Sequence, residues 1–190
     1  MVFNLPNTLT WLRILAIPLV VVCFLIGVSH PGAWGFPLAG LTFGAASITD
    51  SLDGYLARRL GQTTPLGAFL DPVADKLIVA TALVLIVSRD TRIVVVASAI
   101  VIIGREIAVS ALREWMAELG HRAKVAVSGL GKYKTILQMV GLSLMLYRHD
   151  ILGLPVYAVG TWLTASAAVL TLYSMLLYLQ AAWPYLVRRA

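Results

Sequence analysis

Six apolar stretches fill most of this chain, and each is long enough, or nearly so, to cross a bilayer as a helix. About 20 apolar residues span the hydrocarbon core once. The stretches run over about 9–28, 34–60, 65–87, 92–118, 131–147 and 154–185. Hydrophobic residues make up 59% of the 190 and charged residues only 13%, against about 25% charged in a soluble domain. An ordinary cytosolic enzyme, a disordered chain and a disulfide scaffold are all excluded. The single cysteine, Cys23, lies inside the first apolar run and reads as a small core residue. The expected fold is all-α: a polytopic membrane protein with six transmembrane helices, forming one integral domain over 1–190.

Local signals punctuate these runs. Asn4-Leu5-Pro6-Asn7 reads as a cap before the first helix, and Pro31-Gly32 precedes the second. Thr64 can cap the third, with Pro65 at its first position. No basic n-region or A-x-A site marks the first run as a signal peptide, so it is expected to be retained. Gly40 and Gly44 form a GxxxG spacing that permits close helix contact, within the chain or across a dimer seam.

The net charge of +6 is distributed unevenly. Arg58, Arg59, Arg113, Arg122, Lys124, Lys132, Lys134, Arg188 and Arg189 lie on one side of a six-span topology. Only Arg89, Arg92 and Arg148 lie on the other. The positive-inside rule puts both termini in the cytoplasm. No soluble basic face exists to hold a nucleic acid. Asp90 and Asp150 read as loop charges, and His30, His121 and His149 are too scattered for a metal site.

Four aspartates break the apolar pattern of the second and third runs: Asp50, Asp53, Asp71 and Asp75. Ionisable groups at such depth are costly and mark functional sites. Asp50 and Asp53 are spaced i,i+3 and Asp71 and Asp75 i,i+4, so each pair shares a helix face. Asp53 lies about 12 Å before the intervening turn and Asp71 about 9 Å after it, at 1.5 Å rise per residue. The pairs are therefore expected to face one another near the cytoplasmic side. Four neighbouring carboxylates need counter-charge, and two divalent cations would supply it. With no His or Cys between Gly40 and Val87, the all-oxygen donor set favours Mg²⁺, with Mn²⁺ as the alternative and Ca²⁺ as a look-alike. Paired ions of this kind suit phosphorus chemistry. Gly54, Ala57 and Gly67 leave room for a ligand beside the carboxylates, and Arg58 can reach a phosphate. Arg59 is assigned to interfacial snorkelling.

A second cluster is cationic. Arg105 and Glu106 lie inside the fourth run, Arg113 is two turns beyond Arg105, and Lys132 and Lys134 enter the fifth run at the same level. Adjacent helix positions point about 100° apart, so Arg105 and Glu106 are not expected to pair simply with one another. By the same reasoning Lys76 points away from the face of Asp75. Arg105, Arg113, Lys132 and Lys134 suggest an anionic ligand, with phosphate as the favoured group.

The segment from Asp50 to Asp75 resembles the signature of the CDP-alcohol phosphotransferases, D-x2-D-G-x2-A-R-x8-G-x3-D-x3-D, at all eight fixed positions. The resemblance implies a six-helix membrane domain, usually a homodimer. It implies that Asp50, Asp53, Asp71 and Asp75 bind two metal ions and that Asp75 is also the general base. It implies a CDP pocket of Asp53, Gly54, Ala57, Arg58 and Gly67. The stretches Gly104-Arg105-Glu106, Ser110-Ala-Leu-Arg113-Glu114-Trp115 and Gly131-Lys132-Tyr-Lys134-Thr135 resemble the branch that uses sn-glycerol 3-phosphate. The implied reaction joins this acceptor to CDP-diacylglycerol, releasing CMP, at the cell inner (cytoplasmic) membrane. Pro6-Asn7-Thr8-Leu9-Thr10-Trp-Leu-Arg13 is similar to the same branch, which implies Asn7 and Arg13 near the nucleotide. Other acceptors stay open: an inositol phosphate, serine or phosphatidylglycerol. So do a divalent-cation transporter and a non-catalytic lipid-binding subunit.

Overall fold

Inside a bilayer the backbone finds no water, and a helix satisfies every amide within one segment. The computed structural model of the protein describes residues 5–30, 32, 34–60, 65–118 and 130–187. These residues form six helices: α1 Leu5–Ser29, α2 Gly35–Leu60, α3 Pro65–Val87, α4 Ile93–Glu118, α5 Leu130–Tyr147 and α6 Val156–Val187. Among the described residues there is no strand, only an isolated bridge between Ile151 and Leu154.

Thr10–Ser29, Ile93–Glu118 and Val156–Gln180 are long and apolar enough to cross a membrane by composition. α3 is about as apolar as these, but Asp71, Asp75 and Lys76 put three charges in its first half. Large apolar side chains face outward, among them Leu15, Ile100 and Trp162, each more than 60% exposed. Water would not tolerate so much apolar surface, but lipid does. The chain is a polytopic, all-helical membrane protein.

Two helix ends differ from the sequence expectation. α1 starts at Leu5, so Pro6 sits in its first turn, where the missing amide proton costs nothing. α6 starts at Val156 rather than near 154. The Ile151–Leu154 bridge closes a turn through Leu152 and Gly153, both with positive φ (52° and 78°).

α1 packs against α2 and α3, α2 against α5, α5 against α6 and α6 against α4. Among the described residues, α2 and α3 touch each other far less than each touches α1. α1 contacts both helices that carry the aspartates. Phe24, Phe43, Leu83, Ile86, Ile102, Leu142, Met145 and Leu146 fill the core at 2% exposure or less. Cys23 is buried there as expected. The GxxxG spacing is used within the chain. A Cβ on Gly40 would lie 2.7 Å from the Ser143 carbonyl oxygen and from Tyr147, so α2 and α5 cross there almost backbone to backbone. Gly141 and Gly160 make a similar crossing between α5 and α6.

Candidate active site

The site is built on the packing of α1 against α3. Asp71 and Asp75 are one turn apart on α3, and Thr10 and Arg13 are one turn apart on α1. The hydroxyl of Thr10 donates to Asp71 Oδ1 at 2.5 Å. Arg13 Nη1 donates to Asp75 Oδ1 at 2.6 Å, forming an ion pair. The Arg13 side chain is 1% exposed and that of Asp75 39%. A buried guanidinium costs several kcal/mol unless it is paired, and Asp75 supplies the pair.

On its other side Asp75 borders a cavity of about 250 Å³. α3 contributes Asp75, Lys76 and Val79. α4 contributes Arg105, Glu106 and Arg113, and α5 contributes Lys134, Thr135, Gln138 and Met139. Four cations meet two carboxylates in this space. The volume lies just below the usual range of ligand pockets, about 300–1,000 Å³, and suits a small polar molecule rather than a lipid. Arg105 is nearly enclosed, and its Nε is buried with no hydrogen-bond partner among the described residues. Lys134 is 6% exposed and Gln138 likewise. Buried donors of this kind are expensive unless an anion meets them.

A second, apolar groove opens beside the first. Gly44, Ser47 and Ile48 of α2 and Thr135, Ile136, Met139, Val140, Ser143 and Leu144 of α5 line about 300 Å³ of it. Thr135 and Met139 border both spaces.

The structure thus brings together Asp75, Arg105, Arg113 and Lys134, which the sequence offered as base and acceptor cations. Gly67 is buried one turn before Asp71. The side chains of Asp50, Asp53, Ala57 and Arg58, and Gly54 with them, lie outside the described residues, although α2 carries all five positions. Lys132 also lies outside them.

Two expectations are corrected. Arg105 and Glu106 do pair, Nη1 to Oε1 at 2.5 Å. Their Cα–Cβ bonds diverge, but both side chains are long enough to curl together over one face. Lys76 does not point away from the site: it lines the same cavity as Asp75. Gln138 carried no sequence signal beyond being polar in an apolar run, and Thr10 none beyond its place in the stretch that resembles the glycerol 3-phosphate branch. Arg13 did carry one, since a charge within a first span needs a buried partner.

The family model described as CDP-alcohol phosphatidyltransferase matches residues 3–177. The chain belongs to the CDP-alcohol phosphatidyltransferase family. It is 51% identical over 182 residues to the CDP-diacylglycerol–glycerol-3-phosphate 3-phosphatidyltransferase of Salmonella choleraesuis (strain SC-B67), covering 96% of each chain. It is 50% identical, at the same coverage, to the proteins of that name from Shigella flexneri serotype 5b (strain 8401) and Escherichia coli (strain K12).

CDP-alcohol phosphatidyltransferases are generally metal-dependent, and the donor chemistry of this chain fits a hard divalent cation. Asp71 and Asp75 present carboxylates from one face of α3, and α2 carries Asp50 and Asp53 on the other arm of the hairpin. Among the described residues alone, no cluster of three or more metal-ligating side chains occurs.

Proposed function

We propose that the protein transfers the phosphatidyl group of CDP-diacylglycerol to sn-glycerol 3-phosphate, giving phosphatidylglycerol phosphate and CMP. One observation carries this: Asp75 borders a small cavity lined by Arg105, Arg113 and Lys134. A general base and a phosphate-binding cluster thus share one small, half-open cavity. The names of the relatives at about half identity over nearly the whole chain support the same reaction.

Each residue has a part in this scheme. Arg105, Arg113 and Lys134, with Lys132, bind the acceptor phosphate by charge-assisted hydrogen bonds. The otherwise unpaired Nε of Arg105 is one such donor. With its phosphate fixed, the acceptor presents a hydroxyl to Asp75. Asp75 takes the proton as the hydroxyl oxygen attacks the phosphatidyl phosphorus. Holding both partners in one site replaces a bimolecular encounter by an oriented one. Asp53, Gly54, Ala57, Arg58 and Gly67 cradle the CDP moiety, the small residues giving room and Arg58 a cation. The apolar groove between α2 and α5 offers an acyl chain a path from the bilayer to the same place. Asp50, Asp53, Asp71 and Asp75 would hold two Mg²⁺ ions, or Mn²⁺ in their stead. When bound, these supply positive charge to the pyrophosphate and to departing CMP. The protein sits in the cell inner membrane with both termini in the cytoplasm, as a homodimer.

The test is CMP release by purified protein in detergent, with CDP-diacylglycerol, Mg²⁺ and a panel of acceptors. Release is expected with glycerol 3-phosphate and not with glycerol, serine or an inositol phosphate. EDTA and Asp75→Asn should each abolish it. Release with a different acceptor would overturn the acceptor assignment, and release by Asp75→Asn at the wild-type rate would overturn the base.

A further inference from the structure

We propose that Thr10 and Arg13 of α1 are positioning residues for the metal site, each orienting one carboxylate of α3. The proposal rests on the assignment of Asp71 and Asp75 to the metal site of the transferase above.

The registry of the two helices carries it. Residues one turn apart on α1 meet residues one turn apart on α3, and both contacts end on an Oδ1 atom. Thr10 and Arg13 are each only 2% exposed. The terminal torsion of an aspartate is broad, so its rotamer alone does not set the plane of the carboxylate. A fixed donor does. Without one, a carboxylate two or three turns into α3 samples orientations that a metal ion cannot use.

The Thr10 hydroxyl donates across the helix interface to Asp71. Arg13 is similarly directed, across the same interface to Asp75. A cationic side chain near a membrane interface ordinarily extends to water, yet the Arg13 side chain is 1% exposed and ends on Asp75.

Supporting partners of this type typically change metal affinity or activity by about 10- to 100-fold when removed. The measurement is Mn²⁺ binding to the purified, substrate-free protein, read by loss of the free-ion EPR signal. The Mg²⁺ concentration for half-maximal CMP release and the KM for glycerol 3-phosphate are measured alongside. Thr10→Val keeps the shape and removes the donor. It should weaken Mn²⁺ binding and raise the Mg²⁺ requirement by about 10- to 100-fold, with the acceptor KM unchanged. Thr10→Ser should restore both. Arg13→Lys keeps the buried charge but loses the planar fork, and should also weaken Mn²⁺ binding; it serves if Thr10→Val does not fold. Wild-type Mn²⁺ binding by folded Thr10→Val or, where that variant does not fold, by Arg13→Lys overturns the proposal. So does a loss of thermal stability with no change in metal dependence, or a wild-type protein that binds no Mn²⁺. A wild-type protein that binds Mn²⁺ but releases no CMP with glycerol 3-phosphate would overturn the transferase reaction and leave the positioning role standing.

Discussion

The guanidinium of Arg113 lies over the ring of Tyr178, 5.6 Å from its centroid, and Nη2 reaches the Tyr178 hydroxyl at 3.3 Å. Arg113 lines the cationic cavity from α4, whereas Tyr178 belongs to α6 and does not line it. α6 is 32 residues long, roughly 48 Å, and exceeds the hydrocarbon thickness of about 30 Å. Its excess length brings Tyr178 to the level of the site.

The aromatic support should therefore tune acceptor affinity without touching the donor. An exposed cation–π contact is worth about 0.5–1 kcal/mol. Tyr178→Leu should raise the KM for glycerol 3-phosphate about two- to fivefold. Arg113→Ala removes a charged hydrogen bond to phosphate and should raise it roughly 10- to 150-fold. Steady-state kinetics with CDP-diacylglycerol varied separately provide the check. An equal rise in the donor KM would assign Tyr178 to general packing.

Arg105 and Glu106 give a second expectation. Their ion pair, at 2.5 Å, sits inside the cavity with Arg105 nearly enclosed. Removing one partner of such a pair leaves a buried charge uncompensated. Glu106→Gln leaves an extra positive charge facing the acceptor phosphate, while Arg105→Gln leaves a carboxylate that repels it. The two variants should move the acceptor KM in opposite directions, downward for Glu106→Gln and upward for Arg105→Gln. Movement in the same direction would mean that the pair acts only by holding α4 in shape.

Much of this was legible in the sequence because membrane folding leaves few options. Apolar runs must become helices, and charges inside them must meet partners. The spacing of Asp71 and Asp75 therefore fixed a shared face, and Arg105, Arg113 and Lys134 line one cavity. What could not be read was how long side chains turn once packed. Arg105 reaches Glu106 despite the angle between adjacent positions, and Lys76 enters the cavity for the same reason. Nor could the sequence reveal that α1 would meet Asp71 and Asp75 through Thr10 and Arg13. A threonine in an apolar helix gives no sign of whether its proton goes to its own backbone or to a neighbour.

The crossing of α2 and α5 offers a test of packing. A Cβ on Gly40 would meet backbone and Cβ atoms at 2.7 Å, which cannot move without separating the helices. A Cβ on Gly44 would meet the Ser143 hydroxyl oxygen at 3.3 Å, which can rotate away, and Ser143 Cβ at an ordinary 3.8 Å. Gly40→Ala should cost about 1–3 kcal/mol, the usual range for overpacking, and Gly44→Ala much less. Thermal unfolding of the two variants in the same detergent measures the difference. Equal losses would contradict the close approach at Gly40.

At the end of the bundle away from the site, Asp90 is more than a loop charge. It accepts from the backbone amide and the guanidinium of Arg92, and from the Tyr157 hydroxyl at 2.7 Å, tying the start of α4 to α6. The Arg92 guanidinium beside it, and then the Tyr157 hydroxyl, hold its carboxyl well below the ordinary 3.8, against the opposing effect of burial. A lowered carboxylate pKa stabilises the fold above its unfolded value, and that stability is lost as pH falls towards the folded one. Asp90→Asn should thus lower stability by about 1–3 kcal/mol at neutral pH, the worth of hydrogen bonds to a charged group. The gap between variant and wild type should hold steady above pH 3.8 and narrow below it. Unfolding midpoints of both proteins across that range measure the gap. A gap that widened on acidification would mean that Asp90 is held by its neutral form, and the Arg92 and Tyr157 contacts could not then be its source of stability.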